Sequence, residues 1–155
     1  MDKKIKDRVS YDLKLEKEGY LPKTVTYNKI LDRPGQYDVH SELDLSMAKL
    51  EVGMDIGAAI EIDPIYFDVN MSNIRPDAAI ELAKIVEVMN AYPNMIIELG
   101  SHTDCRATAE YNRKLSDRRA KSSAAWIRKK ITNADRIYGK GYGESQLVNH
   151  CACGF

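Results

Sequence analysis

A two-layer α/β sandwich (α+β, of β-α-β-α-β order) is predicted for residues 57–155, preceded by a short all-β segment over residues 1–56. Three observations predict it. Apolar residues recur at helical spacing in two stretches, from Ala79 to Met89 and from about Thr108 to Lys130. Those stretches alternate with short runs rich in strand formers, at residues 64–70, 95–99 and 136–138. Strands separated by helices need crossover connections, which favour a sheet with helices on one face. The first fifty or so residues lack a helical period and show only brief apolar-polar alternation between turn residues.

In that first segment, Tyr11-Asp12-Leu13-Lys14-Leu15 alternates, Glu18-Gly19-Tyr20-Leu21-Pro22 supplies a turn, and Thr24-Val25-Thr26-Tyr27 alternates again. Arg33-Pro34-Gly35 breaks the pattern, and a third alternating run is expected within residues 37–45. Three strands without a helix cannot cover both faces of a sheet. In the second part, Pro64-Ile65-Tyr66-Phe67-Asp68-Val69-Asn70 reads as a buried first strand. Pro76 and Asp77 suit the opening turn of a helix whose stripe is Ala79, Leu82, Ala83, Val86 and Met89. Tyr92-Pro93-Asn94 ends it, and Met95-Ile96-Ile97-Glu98-Leu99 forms the next strand. Thr108 is the expected N-cap of the second helix, with Leu115, Ser116, Ala120, Ser123, Ala124, Ile127 and Ile131 on its core face. Arg136-Ile137-Tyr138 reads as a short strand and Gly139-Lys140-Gly141-Tyr142-Gly143-Glu144 as a glycine-rich exit. That run lacks the lysine-serine ending of a phosphate loop.

The 155 residues suit one ordinary domain with a partial neighbour. With 23 basic and 23 acidic side chains there is no overall basic field, which argues against nucleic acid as a partner. The cations at Arg113, Lys114, Arg118, Lys121, Arg128, Lys129 and Lys130 read as the solvated face of a helix. No window reaches the roughly 20 apolar residues of a membrane-spanning helix. The start, MDKKIKDRVS, has no apolar signal-peptide stretch. Cys105, Cys151 and Cys153 are odd in number, and the last two are too close for the usual zinc pair. A cysteine nucleophile at Cys105 with His102 lacks an orienting third group, and His102 reads as a strand-end residue bonding locally. Neither a catalytic residue, a metal site nor a cofactor is expected.

Gly100-Ser101-His102-Thr103-Asp104 puts an acid at the end of an apolar strand, where the following loop and helix N-terminus converge. Asn112 and Arg119 stand seven residues apart on the helix that follows, two turns, and so project from one side. An opposed carboxylate and guanidinium can grip a ligand that carries both an amine and a carboxylate. On spacing alone, an ordinary Asp-Arg ion pair locking loop to helix is the simpler reading.

The segments PIYFDVN, IRPDAAIEL, GSHTD, YNRKLSDRRA and GKGYGESQLVN, from about Ile65 to Asn149, resemble the OmpA-like domain shared by Pal lipoproteins and flagellar-motor MotB proteins. That resemblance implies a non-catalytic peptidoglycan binder holding the diaminopimelate of a stem peptide. It assigns the ligand's zwitterion to Asp104 and Arg119, the family's asparagine after tyrosine to Asn112, and its polar residue at the end of the first strand to Asn70. It also implies a periplasmic location associated with the outer membrane, behind an upstream outer-membrane domain or lipoprotein anchor. The charged N-terminus is then expected to reflect a fragment. The turn EGYL followed by KTVTY resembles the closing edge of a carboxypeptidase-regulatory-like β-sandwich, which would make residues 1–56 the remnant of an upstream domain. Two departures stand out. Alanine occupies position 107, where many members have glycine; if that position needs a positive φ, the cost is about 1 kcal/mol or more. The chain also ends at Cys151-Ala152-Cys153-Gly154-Phe155, where members continue into a further helix and strand, so the domain is expected to be truncated. A degenerate OmpA-like module kept for protein-protein assembly is the alternative those departures leave open.

Overall fold

The computed structural model describes residue 6, residues 8–30 and residues 35–146. The chain divides into two compact units, residues 1–61 and 62–155.

In the first unit, β1 (Tyr11–Leu15) and β2 (Lys23–Tyr27) form an antiparallel pair with Tyr11 opposite Tyr27 and Leu13 opposite Val25. The alternation read from the sequence sets which side chains point inward. Gly19, at φ +77°, makes the turn, where the Tyr20 N–H donates to the Lys17 carbonyl at 3.1 Å. The third strand expected within residues 37–45 does not form. Asp38 caps a 3-10 turn over Val39–Ser41 by accepting from the His40 N–H at 3.0 Å, and Asp44 accepts from the Ser46 N–H at 2.9 Å. Short carboxylates bonding their own backbone compete with a ladder, and here they win. The chain pairs later instead, through a bridge between Tyr20 and Lys49, with the Leu21 N–H on the Ala48 carbonyl at 2.8 Å. A single helical turn, α1 (Ile56–Ala59), is capped by Asp55. The Arg33-Pro34 break lies outside the described residues.

In the second unit, α2 (Pro76–Ala91) begins with proline at its first position and Asp77 in its first turn, as expected. Its buried face is Ala78, Leu82, Ile85, Val88 and Met89, so the predicted stripe kept Leu82 and Met89 but was otherwise rotated. Next come β3 (Ile97–His102) and α3 (Ala109–Arg128), then a 3-10 turn (Ala134–Arg136) leading into β4 (Ile137–Gly143). Thr108 caps α3, accepting from the Tyr111 N–H at 3.3 Å. β3 and β4 run parallel, with Ile97 opposite Ile137 and Ser101 opposite Gly141, and α3 is the crossover that packs on both. Leu82, Met89, Ile127 and Ile137 are the largest fully buried apolar side chains.

The glycine run expected as an exit is the strand itself. Gly139 and Gly141 face α3, and a Cβ on Gly139 would stand 2.3 Å from the Ala120 carbonyl carbon and oxygen. On Gly141 it would stand 2.2 Å from the Asp117 nitrogen. Helix backbone rests directly on strand backbone there, which only glycine permits. The period-two spacing of the glycines was the available sign.

The first strand expected over residues 64–70 runs without ladder bonds among the described residues. A strand exists only as one member of a pair, and β3 and β4 use each other. An arginine instead bonds the Asp68 carbonyl within that segment and the Met71 carbonyl just after it.

Candidate functional site

Arg119 projects from the middle of α3 toward that extended segment. Its Nε donates to the Met71 carbonyl at 3.0 Å and its Nη2 to the Asp68 carbonyl at 3.2 Å. The guanidinium lies over the Phe67 ring, 5.0 Å from its centroid, within cation–π range. Nη1 makes no hydrogen bond among the described residues. Burial pushes the guanidinium down from its ordinary value, with Tyr111 and Asp104 pulling the other way. It stays cationic at neutral pH.

Asn70 sits in the turn that ends the same segment, at φ +59°, a conformation asparagine tolerates. The Met71 N–H closes this turn on the Asp68 carbonyl at 3.0 Å. The Asn70 Oδ1 accepts from the Tyr111 hydroxyl at 2.7 Å, which ties the turn to the start of α3. Ala107 is not among the positive-φ residues, so alanine strains nothing at the position where many members have glycine.

Asp104 follows β3 in the loop before α3 and is exposed. Its carboxylate accepts from the Arg106 backbone N–H at 3.3 Å and the Arg106 Nε at 2.8 Å. Those bonds hold it below the usual carboxylate range, with smaller contributions from the charges of Arg106 and Arg119. Asn112 is 2% exposed and its Nδ2 faces inward. It donates to the Asp104 carbonyl at 3.0 Å, the Ala107 carbonyl at 3.2 Å and the Glu144 Oε2 at 2.6 Å. Two hydrogens serve three acceptors, so one bond is shared. The loop that carries Asp104 is thereby pinned both to α3 and to the residue after β4. Ser116, fully buried, locks the same strand end by donating to the Arg113 carbonyl and accepting from the Gly143 N–H, both at 2.9 Å.

All four residues singled out in the sequence therefore fall around the N-terminal half and the middle of α3. Asn112 holds the Asp104 loop, Arg119 holds the turn containing Asn70, and Asp104 and Arg119 act on each other electrostatically. Sequence reasoning missed Phe67, Tyr111, Arg106 and Glu144 as participants. Phe67, Tyr111 and Glu144 all stood inside the segments that carry the resemblance. The role of Phe67 gave no local signal, since it depends on an arginine 52 positions later (119 − 67).

His102 stacks on Tyr142, with centroids 5.3 Å apart and planes at 11°. Cys105 is disulfide-bonded, so the sulfur that a cysteine-histidine reading would need is not a free thiol. Among the described residues no cluster of histidine, cysteine, aspartate or glutamate could hold a metal ion. No helix among them is long and apolar enough to cross a membrane.

A helix laid on a parallel strand pair defines a two-layer α/β domain, with an exposed acid in the loop before the helix and an anchored arginine on the helix itself. The chain belongs to the OmpA family, whose model matches residues 66–154. It is 38% identical over 84 residues to Photosystem I P700 chlorophyll a apoprotein A2 of Gloeobacter violaceus, covering 54% of this chain and 10% of that protein. It is 35% identical over 89 residues to the peptidoglycan-associated lipoprotein of Mesorhizobium japonicum, covering 57% of this chain and 53% of the relative. The chain thus spans about half the length of that lipoprotein. In fold it is similar to the peptidoglycan-associated lipoprotein from Burkholderia pseudomallei, with a TM-score of 0.51 at 22% identity. That match covers 56% of this chain and 74% of the other.

Proposed function

We propose that residues 57–155 form a non-catalytic module that binds peptidoglycan through the diaminopimelate of its stem peptide, tethering an outer-membrane or periplasmic protein to the cell wall. Asp104 receives the ammonium of the zwitterion, and Arg119 forks onto its carboxylate through the edge containing Nη1. Asn70 lends its amide beside them, while Asn112 positions the loop from within. The single observation that carries this reading is the state of Arg119. Two of its nitrogens are fixed on carbonyls, so the charge is aimed, and the third remains for a ligand. Fixing a cation opposite an exposed carboxylate favours a zwitterion over an ion of either sign. Recognition of this kind makes and breaks no bond and needs no metal. The names of the lipoprotein relatives support the choice of wall over other zwitterionic ligands.

The competing reading is a module kept for protein assembly. It draws on Tyr66, Val69 and Met71, which stand 66%, 84% and 52% exposed next to the Arg119 anchor. Titration calorimetry with a meso-diaminopimelate stem peptide separates the two. Saturable binding lost in both Asp104→Ala and Arg119→Ala, each still folded by circular dichroism, upholds the wall reading. A folded parent that binds nothing hands the site to assembly.

A further inference from the structure

The carboxylate assigned to the ligand already has a cation on it. Arg106 places both Nε and Nη2 2.8 Å from Oδ2 of Asp104, while its own backbone N–H holds Oδ1 at 3.3 Å. The two side chains are 88% and 57% exposed, so the pair sits in water. Arg119 differs: its guanidinium is committed to two carbonyls and a ring and cannot swing. The Arg106 guanidinium has no partner but Asp104 among the described residues.

We infer that Arg106 is a resident counter-ion of Asp104 that a ligand ammonium displaces, making it a specificity-determining residue of the site. The inference rests on the reading of Asp104 as the ammonium receptor. An ammonium approaching Oδ2 meets lone pairs already filled and a positive charge at hydrogen-bond distance. Exposed ion pairs are weak, so the guanidinium yields at small cost. The backbone bond to Oδ1 stays behind and keeps the carboxylate oriented. Arg106 therefore lowers affinity slightly for a ligand whose ammonium must displace it and leaves a ligand that cannot displace it unaffected, so it sets how strongly the site prefers a full positive charge. A neutral amide gains too little from Oδ2 to displace a guanidinium.

The test compares the parent chain with Arg106→Gln, Arg106→Lys and Asp104→Asn by titration calorimetry. One probe is a meso-diaminopimelate tripeptide with its side-chain amine free, the other the same tripeptide with that amine acetylated. Removing the charge in Arg106→Gln is expected to tighten the free-amine peptide about two- to five-fold. Arg106→Lys should stay close to the parent. The acetylated peptide should bind the parent and Arg106→Gln alike, and weakly. Binding that appears only in Arg106→Gln would support the same conclusion in a stronger form. A parent that binds while Arg106→Gln is unchanged or weaker overturns the counter-ion role and leaves the wall reading intact. So does an equal gain for the acetylated peptide. Absence of binding by the parent and by both Arg106 variants overturns the wall reading itself, and this inference with it.

Discussion

The two ends of the α3–β4 layer each hold a part-buried or buried arginine bonded to backbone carbonyls, and they use it differently. At the closed end Arg136, 5% exposed, donates from Nη1 to the carbonyls of Met89, Tyr92 and Met95, each at 3.2 Å. Its Nε and Nη2 both reach the Thr132 carbonyl, at 3.2 and 2.8 Å. It satisfies the last turn of α2 and the loop after it, where helix carbonyls otherwise lack partners and a cation suits the dipole. Every nitrogen is engaged inward. At the open end Arg119 fixes two nitrogens and leaves the third, beside an exposed acid. A structural arginine is saturated by the chain, whereas the binding role proposed for Arg119 needs one that the chain only anchors.

Breaking the closed end should produce the largest change. Arg136→Ala takes the guanidinium from the carbonyls of Met89, Met95 and Thr132, the Tyr92 carbonyl keeping the Met95 N–H, and is expected to destabilise the second unit by about 3 kcal/mol, read by urea denaturation. Gly141→Ala, which drives a methyl into the α3 backbone, should cost about as much, because neither backbone can retreat. Neither change touches Arg119, so any protein that still folds should keep its ligand affinity. Loss of affinity in such a folded variant would erase the distinction between the two ends.

Arg119→Ala should do the reverse. Stability is expected to fall by about 1 kcal/mol or less, while binding of the stem peptide loses about 2–3 kcal/mol, the worth of a charged hydrogen-bond pair. A larger loss of stability than of binding would make Arg119 a second Arg136. Asn112→Ala lies between the two, with a cost of about 1–3 kcal/mol for leaving Glu144 and two loop carbonyls unpaired. It should weaken binding as well, since the Asp104 loop loses its pin.

The smallest expected effect sharpens the role of charge at the open end. Asp104 is held below the ordinary carboxylate range, chiefly by Arg106. A depressed carboxyl is ionised above its folded-state pKa, so what its charge contributes is present at neutral pH. That contribution is lost only as pH falls through the lowered value. Binding should therefore persist as pH drops through the ordinary aspartate range and fail below it. In Arg106→Gln the failure should move to higher pH, which side-chain carboxyl NMR shifts of Asp104 would follow directly.

Local chemistry was enough for much of this chain. Thr108 before a helical period, Pro76 at a helix start and the alternation of residues 11–15 and 24–27 each act over a few residues, so they could be read in advance. The acid at the strand end and the asparagine and arginine two turns apart were legible too, because strand termini and helix periodicity fix where they project. The alternating run at residues 37–45 and the run of strand formers at residues 64–70 misled. Whether alternation becomes a strand depends on a partner the local sequence does not contain, and in the first case Asp38 and Asp44 offered the backbone closer bonds.

By itself, then, the sequence determined the two long helices, the Thr108 cap, the paired strands β1 and β2 and the side of α3 from which Asn112 and Arg119 emerge, since each follows from neighbours in the chain. Only the tertiary structure decided that the glycine run is a strand pressed against α3. It alone paired Arg119 with Phe67 and the carbonyls of Asp68 and Met71, joined Glu144 to Asn112, and set Arg106 on Asp104. The Arg119 and Glu144 contacts join residues 32 or more positions apart (144 − 112 = 32) and the glycine strand meets α3 across 19 or more (139 − 120 = 19), and close approach at such separations is fixed by packing. The Arg106 pair, though local, turns on which of several rotamers of an exposed side chain finds a carboxylate.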